Sequence, residues 1–382
     1  MQFCKFVVPE VIFGAGSLAQ VGKAVRRLGA TRVLVVTDPG VIAAGWLETL
    51  LPHIEAEQVD HVLWSEVTPN PKDYEVESGV IRYHENKCDA LVALGGGSCI
   101  DAAKGIAVLS TNGGRIQAYE GVDKIQRPLP PMVMVPSTGG SGADVSQFAI
   151  ISDTSRRIKM TLISKSLIPD ISITDPLLLT TKDAYLTATI GMDALTHSIE
   201  AYVSLAATFL TDVHALRSIE LLFAHLPLSV AGSSDLSAKA AMARGSLHAG
   251  LAFSNAILGA THAIAHQIGG LLDSHHSALS ALLLPYVMEF NLEACPERYA
   301  AIARAMGIDT ADMTPFEAGA AAIAAVRNLA HRIGLTQRLA AVGMTEKLVP
   351  VVCENALRDA CMATNPRETT AAVIATVLHK AM

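Results

Sequence analysis

The first half of the chain alternates short, continuous apolar runs with segments of helical periodicity. Arg32–Thr37, His61–Trp64, Ala90–Leu94 and Met132–Pro136 are dominated by β-branched and aliphatic residues and read as strands. Runs without polar alternation are strands buried on both faces. Separated by helices, they predict a parallel sheet covered on both sides. From about Lys182 the pattern changes. Ala, Leu, Ile and Met dominate and strand-like runs cease. Helical periodicity continues to the C-terminus, broken at Gly232–Ser234, Gly269–Gly270 and Ala311–Pro315. The expected organisation is an α/β domain over residues 1–180 and an all-helical domain over 181–382, with the boundary near Asp175–Asp183. No low-complexity linker intervenes, so close packing with a cleft between the domains is expected. No internal repeat is visible.

Composition narrows the class. At about 100–200 residues per domain, 382 residues fit two domains. Hydrophobic residues make up 51% and charged ones 17%, a balance that favours an oligomer with buried helix faces. The net charge of −7 and the lack of a basic run argue against a nucleic-acid partner. The six cysteines form no CxxC pair and no zinc-knuckle spacing, which suits a reduced cytoplasmic protein. The N-terminus is too short and mixed for a signal peptide. No apolar run long enough for a membrane span, about 18 residues, is free of charge, Gly or Pro.

Two loops are candidates for binding an anion. Gly95-Gly96-Gly97-Ser98 follows a predicted strand and opens a predicted helix through Asp101 and Lys104. Glycines admit a ligand close to the backbone, and free amides at a helix start favour pyrophosphate. The motif is neither GxGxxG nor a Walker A loop. A tight turn capped by Ser98 or Asp101 is the plain alternative. The loop Pro136–Gly142 follows the fourth strand and is also built of small residues. Loops at the C-terminal ends of parallel strands are where open sheets bind nucleotides. Asp38 ends the first of these strands. A carboxylate there suits a ribose diol and repels a 2′-phosphate, favouring NAD over NADP, unless it merely caps a turn.

Ligand-type residues gather in the second half. Asp193 and His197 are four apart, as are His262 and His266, so each pair shares a helix face. Gly269–Gly270 is expected to end the second helix, with His275 and His276 following on a loop. One carboxylate with imidazoles suits Fe(II) or Zn(II). Adjacent His275 and His276 are poorly placed to bind one ion together. His266 is surplus to a four-ligand set, open to a proton-relay or substrate role or to a structural one. His53, His61, His84, His214, His225, His248, His331 and His379 are assigned to ordinary structural or surface roles.

These motifs together resemble the iron-containing (group III) alcohol dehydrogenases. They are Gly95–Ser98 with Asp101 and Lys104, the loop Pro136–Asp144, Gly191–His197 with Glu200 and Tyr202, and His262-x₃-His266 with Gly269–Gly270 and His276. The resemblance runs from Val11–Gly14 to Asn365–Arg367 and is nearest the branch holding 1,3-propanediol dehydrogenase and lactaldehyde reductase. It implies a Rossmann-like parallel-sheet domain followed by an all-helical metal-binding domain, the architecture of dehydroquinate synthase. It implies Asp193, His197, His262 and His276 as ligands of Fe2+ (or Zn2+), choosing His276 over His275, and sets His266 beside nicotinamide and substrate. It implies NAD(H) contacts from Asp38, Asn70, Gly96, Gly97, Ser98, Asp101, Ser137, Thr138, Ser146, Phe148, Lys159 and Leu178. In the second loop Ala143 and Asp144 depart from the family's usual residues, as does His275 from a common Pro.

The expected activity is metal-dependent hydride transfer between a small primary alcohol or diol and nicotinamide, by a cytoplasmic homo-oligomer with no membrane or nucleic-acid partner. The rival readings are an alcohol–oxoacid transhydrogenase that keeps its nicotinamide bound, a dehydroquinate-synthase-like lyase, and a non-catalytic metal-binding scaffold. The lyase needs Lys and Arg for a phosphorylated sugar acid. The neighbours of the ligand residues here are Ala, Leu, Ile, Gly and Phe253.

Overall fold

A computed structural model describes residues 4–232 and 234–382. The chain divides into two compact units, one of Val7–Thr181 and one of Lys182–Met382 joined by the segment ending at Phe6.

The first unit carries nine strands: β1 (Glu10–Phe13), β2 (Arg32–Val36), β3 (Asp60–Trp64), β4 (Ala90–Gly95), β5 (Gly121–Val122), β6 (Met132–Pro136), β7 (Phe148–Asp153), β8 (Ile158–Ile163) and β9 (Ile171–Thr174). Its helices are α1 (Val21–Arg27), α2 (Pro39–Ala43), α3 (Trp46–Glu55), α4 (Asp73–Glu85) and α5 (Gly97–Asn112). Six strands form a sheet in the order β1-β9-β6-β4-β2-β3, with every pairing parallel. Val33–Val36, Leu91–Leu94 and Val133–Val135 are all buried, as continuous apolar strands must be when helices cover both faces. Each Val, Leu or Met side chain among them contributes about 1.5–3 kcal/mol by leaving water. The register pairs Val36 with Ala93 and Gly95 with Pro136. Asp38, the Gly95–Ser98 turn and the loop after Pro136 therefore leave the sheet along one edge.

The apolar runs do not foretell all of this sheet. β1 and β9 lengthen it, and β5, β8 and β7 form a separate three-stranded sheet in which β7 and β8 are antiparallel. The turn that Asp38 is expected to cap is the start of α2. Asp38 is its N-cap, accepting from the amide of Val41, and Pro39 occupies the first turn.

The second unit is helical throughout its described residues: α6 (Ala184–Val203), α7 (Phe209–Ala231), α8 (Leu236–Ala256), α9 (Ala260–Leu272), α10 (His276–Leu292), α11 (Pro296–Ala305), α12 (Pro315–Arg332), α13 (Val349–Ala356) and α14 (Ala371–Ala381). The expectation of a helix end at Gly269–Gly270 is corrected. α9 runs through both and stops at Asp273, which takes the left-handed conformation with φ 48°. Glycine costs a helix only about 1 kcal/mol, and the burial of Ile264, Ala265 and Ile268 outweighs it. The loop expected at His275 and His276 is likewise shorter. His275 is the N-cap of α10 and His276 its first residue.

Candidate metal and nucleotide sites

On α6, His197 lies about one turn and Glu200 about two turns after Asp193, along one buried stripe. Helix α9 brings His262 and His266, and the first residue of α10 brings His276. Asp193, His262 and His276 each offer a donor atom, and all three atoms lie within 4.8 Å of one another. His262 Nε2 stands 3.7 Å from Asp193 Oδ1. Both atoms are buried, and neither has a hydrogen-bond partner among the described residues. The His197 ring adjoins this trio, stacked on His262 at 4.5 Å between centroids and on Phe253 at 4.6 Å. His266 stacks on His276 at 5.2 Å. His275 shares a 2.9 Å hydrogen bond between its Nδ1 and Ser277 Oγ.

Behind the trio stand two buried carboxylates. Glu200 Oε2 is 2.6 Å from His262 Nδ1. The same carboxylate accepts from the amides of Gly259 at 3.1 Å, Thr261 at 2.6 Å and His262 at 3.4 Å, so it also caps α9. A Cβ on Gly259 would lie 3.0 Å from Glu200 Oε1 and from Asn365 Oδ1, so only glycine lets the chain pass this close. Burial pushes the Glu200 carboxyl up. The hydrogen bond and charge of His262, with the bonds from Thr261, outweigh it and hold the group below its ordinary value. Asp359 plays the matching part for His266, with Oδ2 at 2.9 Å from its Nδ1, and accepts from Gln267 Nε2 and the amide of Cys361.

In the first unit the glycine turn meets the second loop directly. A Cβ on Gly97 would lie 2.9 Å from the Cβ of Ser141, and one on Gly96 3.3 Å from Thr138 Cγ2. Ser137 Oγ is buried without a hydrogen-bond partner among the described residues. The Asn70 backbone is left-handed, with φ 57°, and its amide donates to Ser98 Oγ at 3.2 Å. Lys159 Nζ donates to Asn70 Oδ1 at 2.8 Å. Asp38 accepts from Val41 N on one oxygen and from Cys99 Sγ on the other, so the capping role holds whatever else it binds. Burial raises the carboxyl of Asp101 to about 7, against the pull of Lys104, the Ile150 amide and Lys159. Ser146 and Phe148 turn their carbonyls to Lys104. Leu178 is buried in the turn Pro176–Thr181.

Comparison with known families fits this arrangement. The profile of iron-containing alcohol dehydrogenases matches residues 9–176, and that of the Fe-containing alcohol dehydrogenase family, C-terminal, matches residues 187–382. The chain belongs to the iron-containing alcohol dehydrogenases. It is 40% identical to the 1,3-propanediol dehydrogenase of Citrobacter freundii over 379 residues, 98% of each chain. It is 36% identical to the NAD-dependent methanol dehydrogenase of Bacillus methanolicus over 99% of each. A crystal structure of 1,3-propanediol oxidoreductase superposes with a TM-score of 0.97 at 38% identity, covering 100% of both chains.

For this family member the donor set fits a divalent ion. Partnerless buried oxygen and nitrogen atoms facing each other at 3.7 Å are costly unless a cation lies between them. The chemistry, one carboxylate with imidazoles, suits iron or zinc. Glu200 on the far side of His262 is the carboxylate that metal-binding histidines commonly need. Sequence reasoning passed over both Glu200 and Asp359 as functional residues. The i,i+7 spacing from Asp193 signals Glu200. Asp359 lies 93 positions from His266 and has no local signal.

Proposed function

We propose that this iron-containing alcohol dehydrogenase interconverts small, weakly charged primary alcohols or diols and their aldehydes, with NAD(H) as hydride carrier. Asp193, His197, His262 and His276 would hold Fe2+, with Zn2+ as the alternative ion. The Gly96–Ser98 turn, the Ser137–Phe148 loop, Asn70, Asp101, Lys159, Leu178 and Asp38 would hold the dinucleotide. The observation that carries the reading is the pair of partnerless, buried donor atoms on Asp193 and His262.

When bound, the ion supplies Lewis-acid polarisation of the substrate oxygen, and the nicotinamide accepts or gives the hydride. The chain's own residues do the rest. Glu200 turns the His262 ring so that Nε2 faces Asp193. Asp359 fixes His266 by its Nδ1, leaving the other ring nitrogen to take or give the proton that alcohol oxidation releases. Phe253, stacked on His197, supplies an apolar wall that favours an uncharged substrate and excludes water.

Two further assignments belong to this reading. Exposed Leu205, with Phe209 and Val213 one turn apart on α7, supports burial of that face in a homo-oligomer. The six cysteines are all free, which supports a reducing, cytoplasmic compartment. No helix among the described residues is long and apolar enough to cross a membrane.

The test is NADH oxidation with short aldehydes by protein stripped with a chelator, then restored with Fe(II) or Zn(II). Activity should vanish and return. Activity indifferent to the metal sinks the metal assignment. Turnover of alcohol against a second carbonyl without added nicotinamide points instead to a transhydrogenase.

A further inference from the structure

Lys104 is fully buried, yet no part of the reaction described above uses it. It lies on α5, two turns after the glycine turn. Its ammonium donates to three backbone carbonyls: Ala143 at 2.7 Å, Ser146 at 2.7 Å and Phe148 at 2.8 Å, with Ser146 Oγ at 3.3 Å. Ala143 and Ser146 lie at the far end of the loop between β6 and β7, and Phe148 is the first residue of β7. The near end of that loop is held elsewhere, where Thr138 and Ser141 press on Gly96 and Gly97. One helix therefore clamps the loop twice, by close backbone approach at its first turn and by an ammonium further along.

The residue type is dictated by the geometry. Three carbonyls converging on one point need three donors from a single atom. An ammonium has them; a guanidinium presents a planar fork and an amide only two donors. The buried charge is balanced from both sides. Asp101 is one turn back on α5, and Asp144 sits in the clamped loop, its carboxylate accepting from Ser172 Oγ at 2.6 Å. Burial pulls the amine down and pushes the Asp101 carboxyl up, as low dielectric does to both charged forms.

We propose that Lys104 is a positioning residue for the nicotinamide cofactor: it sets the shape of the Ser137–Phe148 loop before the dinucleotide arrives, without touching it. The inference rests on reading that loop as part of the cofactor cradle. A loop already ordered costs the ligand less conformational entropy on binding. Affinity for NADH should therefore depend on Lys104 more than turnover does.

The experiment uses the full-length, iron-loaded enzyme and NADH as the probe. Lys104→Met keeps the length of the stem and removes every donor. Below its unfolding temperature it should bind NADH about tenfold more weakly by fluorescence titration. KM for NADH should rise with it, kcat should change far less, and iron content should stay as in the wild type. A folded Lys104→Met protein with wild-type NADH affinity, whatever its melting temperature, overturns the proposal. Should the variant not fold, amide exchange in the wild type decides. Slow exchange over residues 143–148 without NADH supports a preformed loop, and protection that arises only on adding NADH refutes it. Gly97→Val tests the underlying reading separately, because its side chain invades the contact with Ser141. If Gly97→Val leaves NADH affinity unchanged, the cradle is misassigned. If it weakens binding and Lys104→Met does not, only the role of Lys104 fails.

Discussion

Replacing Glu200 separates two functions that one carboxylate carries. In Glu200→Ala, His262 Nδ1 and the amides of Gly259 and Thr261 lose their acceptor inside a buried site. At about 1–3 kcal/mol for each unsatisfied group, the helical unit loses roughly 3–9 kcal/mol. Glu200→Gln is gentler. It keeps an acceptor oxygen and the volume but removes the charge, and a charge-assisted hydrogen bond is about twice as strong as a neutral one. The loss of fold stability should then be about 1–2 kcal/mol. The metal should suffer more, since replacing the carboxylate behind a ligand histidine typically weakens binding about 10–100-fold, or about 1.4–2.7 kcal/mol. The assay is chelator competition for Fe(II) or Zn(II), run beside denaturant unfolding of the metal-free protein. Glu200→Gln with metal affinity within about twofold of wild type refutes the argument, whatever happens to its unfolding midpoint.

Three other outcomes are expected. Asp193→Ala or His262→Ala should abolish metal retention and turnover while NADH still binds; metal retained at wild-type stoichiometry removes that residue from the ligand set. Asp38→Gly should raise the use of NADPH relative to NADH, measured as the ratio of kcat/KM values, at a stability cost of only roughly a few tenths of a kcal/mol, since glycine is itself a tolerated N-cap for α2; an unchanged ratio takes Asp38 out of the ribose site. The Asp153 carboxyl is buried, which raises it, but bonds from Ser155 and Arg156 prevail and lower it from 3.8 to about 2. Because the folded-state value is depressed, its contribution is present above the ordinary carboxylate value and lost as pH falls through about 2. Asp153→Asn should therefore cost roughly 1–2 kcal/mol at neutral pH, with Arg156 half in solvent, and progressively less between pH 4 and 2 by denaturant titration; a pH-independent difference refutes this.

The elements most legible in the chain were those whose burial is symmetrical. Strands such as Leu91–Leu94 show no polar interruption because helices cover both their faces. β7 and β8 escaped notice for the opposite reason. Their ladder pairs Ser152 with Lys159 and Asp153 with Ile158, so polar residues interrupt both runs. β1 is a four-residue edge strand, too short to carry a periodicity. Gly269–Gly270 misled because glycine is a weak local signal, and tertiary burial of α9 overrode it. At the candidate metal site the i,i+4 pairs were readable because one helix displays both members. The second carboxylate layer was less so. Asp359 meets His266 only through the fold, and no spacing along the chain encodes that meeting.

The cap on α9 also bears on how this site can change over evolutionary time. Glu200, Gly259 and Asn365 come from three distant stretches of sequence, yet they share one crowded point. Gly259 has no room for a side chain between the two acceptors, and Asn365 takes the Ala260 amide that Glu200 does not. A change at any one of them exposes a buried amide or drives a methyl group into an oxygen. Across descendants of this chain the three positions should be replaced together or not at all, even where the neighbouring residues drift freely. His262, the proposed metal ligand, thus inherits a constraint from the start of the helix that presents it, and substrate preference must diversify elsewhere.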